Sequence, residues 1–324
     1  MKNISLRERY KNSKLLTKYG AQFSSFVALV ILCIILAFMT SRFLRGENIM
    51  TVLLQSSINS ILALGMTFII LTGNIDLSIG SIVALAAAVP GYLMVNNGLS
   101  PVLAILMALV LGTVCGLING LIITKLNISA FIVTLGAMNV WRGLALQLTN
   151  GSTSYEFPNL IKVLGQGYIG PVPVPLVITI IVYVLASILL SKTPFGLSTY
   201  AIGGNESASK LSGIKVNRIK IELFCINGFL CGLAGLVLAG RLNSTMGVMA
   251  TGYELDAIAA VAIGGTSMLG GEGNAWGSLI GALLMGIIRN GLNLMSVTPY
   301  MQTVAVGVII IFAVAIDAIR SKRR

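Results

Sequence analysis

In a chain that is 56% hydrophobic and 10% charged, the residues able to do chemistry are few. Asp76 and Ser78 stand in Gly73-Asn-Ile-Asp-Leu-Ser-Ile-Gly80, just ahead of an apolar run. An acid or hydroxyl there suits helix capping, by accepting free backbone N–H groups. The glycines at either end equally allow a hinge or a contact at the membrane edge. Glu254 and Asp256 follow Gly252 at the start of another apolar run. Two residues apart, they do not share a helix face, so paired-carboxylate acid–base chemistry is not expected. Asp256 suits a cap, and both acids could meet solute hydroxyls at an outer mouth or dock an external protein. Arg142 and Arg289 lie within apolar runs, where a cation faces an interior or a watery cavity. Arg142, beside Trp141, could instead snorkel to an interface. Asn119, Asn139, Asn227, Asn290 and Asn293 sit in or at the ends of such runs, as lining for a hydroxyl-rich solute or as bonds between helices.

No reaction is nominated by this set. The chain has no His, which removes the commonest general base and metal ligand. It has no metal-spaced cluster, no nucleophile elbow and no G-x-x-x-x-G-K-[ST] loop, so it is not expected to be an enzyme or its own ATPase, and no cofactor is expected in it. Gly165-x-Gly167-x-x-Gly170 mimics a dinucleotide fingerprint, but without the required strand before it and helix after it. The four cysteines fall inside apolar runs and read as small buried residues.

What must position these side chains is a set of membrane helices. Runs of about 20 apolar residues predict an all-α polytopic protein with ten spans, at 22–40, 50–72, 79–96, 101–124, 130–149, 173–191, 219–240, 255–270, 275–295 and 300–318. Residues 1–21 form a cytoplasmic N-terminal segment with no cleavable-signal pattern, and 22–324 one transmembrane domain. Alternation of sides puts 16 of the 22 Lys and Arg in or beside cytoplasmic segments, four outside and two within spans. That bias predicts both termini inside. It also assigns the +12 net charge to orientation and anionic lipid rather than nucleic acid. The third and eighth spans, crowded by Gly and polar residues, suit broken or re-entrant helices. Gly112-x-x-x-Gly116-x-x-x-Gly120 and Gly273-x-x-x-Gly277-x-x-x-Gly281 run in opposite directions under this topology. They fit a five-plus-five inverted repeat, or simply close packing of helices on glycine rows.

One polar island interrupts the middle of the chain, from 193 to 220, flanked and ended by Lys192, Lys210, Lys215, Arg218 and Lys220. Its basic residues make the 192–218 loop cytoplasmic. Gly203-Gly204 is expected to break the chain, Asn205 to cap a short helix, Glu206 to sit in its first turn and Gly213 to end it left-handed. Such a helix can be gripped by a soluble partner or can be a solvated loop.

The stretch AIGGNESASKLSGI in that loop resembles the cytoplasmic-loop motif of the sugar-transporting, ribose-type permeases of ATP-binding-cassette importers. GNIDLSIGS at 73–81, TGYELDAIAAVAIGGTSMLGG at 251–271 and NGLNLMSV at 290–297 agree in the same order, over most of the chain. The resemblance implies a coupling role for Gly204, Asn205, Glu206, Ala208, Leu211, Ser212 and Gly213, docked into a separate ATPase subunit that holds ATP and Mg. It also implies a second copy of the permease, a periplasmic or lipid-anchored sugar-binding protein, the bacterial inner membrane, and a monosaccharide substrate, ribose first. It places Asp76 and Ser78 beside the ATPase face. The external loop 150–172 shows no such agreement. An ion-gradient-driven sugar transporter is the competing class. It would keep acids deep within spans, whereas here they sit at predicted span ends.

Overall fold

The computed structural model describes residues 6–321, with side chains from 23 to 315. Its helices in chain order are α1 (Leu6–Met39), α2 (Gly46–Ile70), α3 (Ile79–Asn97), α4 (Pro101–Leu126), α5 (Ala130–Leu148), α6 (Asn159–Gln166), α7 (Val174–Lys192), α8 (Pro194–Gly204), α9 (Glu206–Leu211), α10 (Val216–Leu242), α11 (Tyr253–Ile263), α12 (Ala275–Leu294) and α13 (Pro299–Ser321). The only strands among the described residues are two-residue pairs: β1 (Ser154–Tyr155) with β4 (Ser244–Thr245), and β2 (Tyr168–Ile169) with β3 (Val172–Pro173). The all-α expectation holds.

Among the described residues, seven helices, α2, α3, α4, α5, α7, α10 and α12, are long and apolar enough to cross a membrane. Phe23–Met39 and Pro299–Ala315 are shorter apolar helical stretches. The eighth expected span is corrected. In place of 255–270 there is an 11-residue helix, α11, followed by turns. At 1.5 Å per residue it is about 16 Å long, roughly half a hydrocarbon core. Gly264 and Gly265 stop it, and the segment before it, 243–252, is mostly non-helical. Irregular backbone of this kind is tolerated in a membrane protein only where protein or water surrounds it. The third expected span is one continuous helix despite Pro90.

Two glycine rows bring helices together backbone to backbone. A side chain at Gly112 would overlap the Gly228 carbonyl, and one at Gly116 the Phe224 carbonyl, so α4 and α10 touch backbone to backbone. Likewise Gly281 faces the Ala260 carbonyl and Gly264 the Gly277 carbonyl, joining α11 to α12. Lipid is as apolar as leucine, so such contacts, rather than a hydrophobic drive, hold helices together in a membrane. The helix α2 lies at the centre, buried along most of its length against α7, α10, α11 and α12.

On one side of the bundle, β1 and β4 tie loop 150–158 to the end of α10, and the Phe157 amide donates to Asn243 Oδ1 at 3.0 Å. Gly165 lets α6 rest on the backbone of Gly240 and Arg241, and Gly170 turns the β2–β3 hairpin at φ +60°. These glycines serve packing and a turn, in keeping with the rejection of the phosphate-loop lookalike.

Candidate functional site

The 192–218 loop folds as two helices. Thr193 caps α8 by accepting from the Gly196 amide at 3.3 Å, and Pro194 opens its first turn. Gly203 and Gly204 do not break the chain as expected. They are the last residues of α8, and the break falls at Asn205, which is extended at φ −160°. Asn205 then caps α9, its Oδ1 accepting from the Ala208 amide at 2.9 Å. At the other end Gly213 is left-handed at φ +83°, the Gly213 amide reaches the Lys210 carbonyl and the Ile214 amide the Ser209 carbonyl. That pair of bonds is a Schellman ending, so both expected signals at the ends of this helix act where they were read.

Glu206 does more than complement the helix dipole. It binds Lys210 and Lys220, each at 2.7 Å, and these hydrogen bonds, Lys210 first, hold its carboxyl below the usual glutamate range. The Lys220 contact staples α9 to the start of α10. Leu211 is 91% exposed at the end of α9.

Behind α9 three segments interlock. The Gly271 amide donates to the Leu71 carbonyl at 2.9 Å, and Tyr200 Oη to the Gly273 carbonyl at 2.9 Å. A side chain at Gly203 would overlap the Leu71 carbonyl and the Gly271 amide, and one at Gly270 the Gly73 amide. The end of α8, the end of α2 and the turn after α11 therefore meet at one glycine seam. Alternation of sides had assigned 73–78, 192–218 and 271–274, the segments beside this seam, to the cytoplasm.

A second group lies inside the bundle. Asp76, Ser78, Asn119 and Asn227 are all fully buried. Asp76 Oδ1 accepts from the Ser78 amide at 2.9 Å and from Ser78 Oγ at 2.6 Å, while Oδ2 accepts from Asn227 Nδ2 at 2.8 Å. Asn119 Nδ2 in turn donates to Ser78 Oγ at 2.9 Å. One carboxylate thus joins the start of α3 to α10 directly and to α4 through Ser78. Ser78 is the cap residue of α3 but gives no side-chain cap bond. Asp76 holds the Ser78 amide, which lies ahead of the first turn, so its carboxylate links helices and does not cap α3. Asp76 lies between α2 and α3, as expected, but is fully enclosed by the surrounding helices.

A third group surrounds the short helix α11. Gly80, the second residue of α3, would clash with the Ala250 carbonyl and the Glu254 carboxylate if it carried a side chain. The start of α11 therefore rests against the start of α3. Asp256 is buried and bonded to Arg289 on α12 at 2.6 Å, so it caps nothing; the cap position of α11 is Gly252. Glu254 Oε1 accepts from the Gly252 amide at 3.2 Å. Arg142 does not snorkel outward. Its Nη1 donates to the Gly247 and Met249 carbonyls at 2.9 and 2.7 Å, holding the non-helical approach to α11.

The matches to known proteins follow the same extent. Residues 48–314 match a family model described as "Branched-chain amino acid transport system / permease component". The chain belongs to this permease family. The ribose import permease protein of Bacillus subtilis is 46% identical over 302 residues, covering 91% of this chain and 92% of that one. That of Haemophilus influenzae is 44% identical over 297 residues, with 90% and 92% covered. The D-allose transport system permease protein of Escherichia coli is 36% identical over 307 residues, with 94% and 93% covered. No solved structure matches. The resemblance to sugar permeases of ATP-binding-cassette importers is thus borne out over almost the whole length.

The remaining expected residues of this permease are scattered. Asn290 on α12 exchanges two hydrogen bonds with Asn48 on α2, at 2.8 and 3.0 Å. Asn293 Oδ1 accepts from Gln302 at 2.8 Å. Asn139 is exposed on α5 and bonds only its own helix, at the Leu135 carbonyl. Asn119 and Asn227 join Asp76, whereas Asn139 and Asn290 join neither that group nor each other. Sequence reading missed α8, the glycine seam and Asn48. The seam left a signal in the Gly pairs at 203–204 and 270–271.

Proposed function

We propose that this chain is the membrane-spanning subunit of an ATP-binding-cassette importer that moves a monosaccharide, ribose first, across the bacterial inner membrane. The observation that carries the substrate is the gap in identity: 46% and 44% to ribose import permeases, against 36% to the allose and 35% to a galactose permease of Escherichia coli. Two copies would flank one path, with a sugar-binding protein outside and ATP and Mg on an ATPase subunit inside. The permease itself makes and breaks no covalent bond. Residues 204–213 would pass motion from the ATPase to the bundle. Asp76, Ser78, Asn119, Asn139, Arg142, Asn227, Glu254, Asp256 and Asn290 remain the polar residues from which a path or gate would be drawn. Their mutual bonds favour a gating or positioning role for the Asp76 and Asp256 groups.

The expected arrangement is ten membrane crossings, the eighth completed by α11 and its non-helical approach, with both termini cytoplasmic. A five-plus-five inverted repeat is supported by the packing partners. The pair α4 with α10 corresponds to α12 with α2, α3 with α5 to α11 with α13, and α3 with α4 to α11 with α12. An impermeant thiol reagent added to intact cells should leave Ser207→Cys unlabelled; labelling from outside would overturn the orientation. For the substrate, vesicles holding permease, ATPase and binding protein should take up labelled ribose with ATP. A preference for allose, xylose or galactose under equal conditions would sink the ribose assignment.

A further inference from the structure

We propose that Leu269, at the tip of the turn after α11, is a second docking point for the ATPase subunit, continuous with the surface of α9. The proposal rests on the coupling role proposed for residues 204–213 and extends it to a segment distant in sequence. Most of the exposed large apolar side chains lie on the long helices, where lipid covers them. Of those off the long helices, the three most exposed are Leu211 on α9 at 91%, Leu197 on α8 at 73% and Leu269 at 68%. Leu197 and Leu211 lie in the 192–218 loop assigned to the cytoplasm, and the glycine seam brings Leu269, expected at the end of the 255–270 span, to the same side.

The turn is built to hold its leucine outward. The Ser267 amide reaches the Glu272 carbonyl at 2.9 Å, the Gly270 amide the Ser267 carbonyl at 3.1 Å, and the Leu269 amide Ser267 Oγ at 3.3 Å. Gly270 and Gly271, next in the chain, pack on Gly203 and Gly204, the two residues before the cap of α9. Leu269 therefore stands beside the α8–α9 junction on a turn already ordered, so little conformational freedom is lost when a partner covers it. The surrounding charge names the chemistry of the partner. Lys192 and Lys215 are exposed on the loop, its one acid, Glu206, is already neutralised by Lys210 and Lys220, and the turn itself contributes one exposed acid, Glu272. A protein cleft with an apolar floor and an acidic rim complements this surface, and the occupant is the soluble ATPase subunit of the same importer.

The test uses the complete importer in vesicles and compares Leu269→Asp with Leu211→Asp. With more than half of each side chain exposed, neither variant should lower the permease level or its melting temperature. Each should weaken capture of the purified ATPase subunit by about tenfold or more and lower ATP-driven uptake in step. If Leu211→Asp weakens capture while Leu269→Asp binds as wild type, Leu269 is no docking point and the coupling role of 204–213 stands. If only Leu269→Asp weakens capture, this proposal holds and the role of α9 fails. If neither does, both readings fall. Lower uptake by Leu269→Asp with unchanged ATPase affinity also overturns the proposal, since the leucine would then act within the permease or against lipid.

Discussion

Asp76→Ala is expected to yield a permease that inserts poorly and melts well below wild type, because it removes the acceptor at the centre of a buried network. Asn227 Nδ2 loses its partner, and so does the Ser78 amide; Ser78 Oγ can turn elsewhere. Each buried donor left without an acceptor costs about 1–3 kcal/mol, so the substitution should cost about 2–6 kcal/mol. The side chains are fully buried, so water cannot replace the lost acceptor without a cavity forming. Asp76→Asn separates hydrogen bonding from charge. Its remaining oxygen can keep both Ser78 bonds, and its new amide can be met by Asn227 Oδ1, which has no partner now, if that side chain turns over. A cost of about 1 kcal/mol is expected, the worth of one ordinary hydrogen bond. Melting temperatures of the two purified variants in detergent decide the matter. An Ala variant as stable as wild type would show that the group is no structural pin. An Asn variant as damaged as the Ala one would show that the charge itself is required.

The contrast between Asp76 and Asp256 shows how much of this site the sequence could carry. Both precede apolar runs and both invite a reading as helix caps. The local pattern is right about the start of α3, at Ile79, but Asp256 is the fourth residue of α11, which begins at Tyr253. It says nothing of what stands across from them, because Asn227 lies 151 residues from Asp76 and Arg289 33 residues from Asp256. In the 204–213 loop the signals of Asn205 and Gly213 were legible, since both act on backbone groups within a few residues of themselves, whereas Gly203-Gly204 continued α8 instead of breaking it. Seven of the expected spans were legible for the same reason: the length of apolar runs is a local quantity. Where α11 replaces a span, composition misleads, because AIAAVAIGG is apolar enough to continue, whereas Gly265 turns left-handed at φ +84° and ends the helix, and Gly264 packs on the Gly277 backbone.

Adjacent glycines at the end of α8 should answer very differently to substitution. A side chain at Gly203 would overlap two backbone atoms, the Leu71 carbonyl and the Gly271 amide, neither of which can rotate away. At Gly204 nothing lies within 4 Å of the same position. Gly203→Val must therefore separate the end of α8 from the ends of α2 and the α11 turn, breaking the Gly271–Leu71 hydrogen bond. Overpacking of this kind costs about 1–3 kcal/mol. The cost falls on a surface seam, so the bundle should still insert, but α9 would be held at the wrong place. If that misfit weakens the coupled state by about 1.4 kcal/mol or more, uptake falls about tenfold or more. Gly204→Ala meets open space within a helix, where alanine is preferred over glycine by about 0.5–1 kcal/mol, so stability should hold or rise slightly. ATP-driven sugar uptake and permease level, measured on one set of vesicles, test both. Wild-type uptake by Gly203→Val would show that the seam is free to open and carries no force. Lost uptake by Gly204→Ala, with a normal permease level, would instead place the Gly204 face directly against the ATPase. The expected order, severe at 203 and neutral at 204, follows from contacts that two identical letters in the sequence do not distinguish.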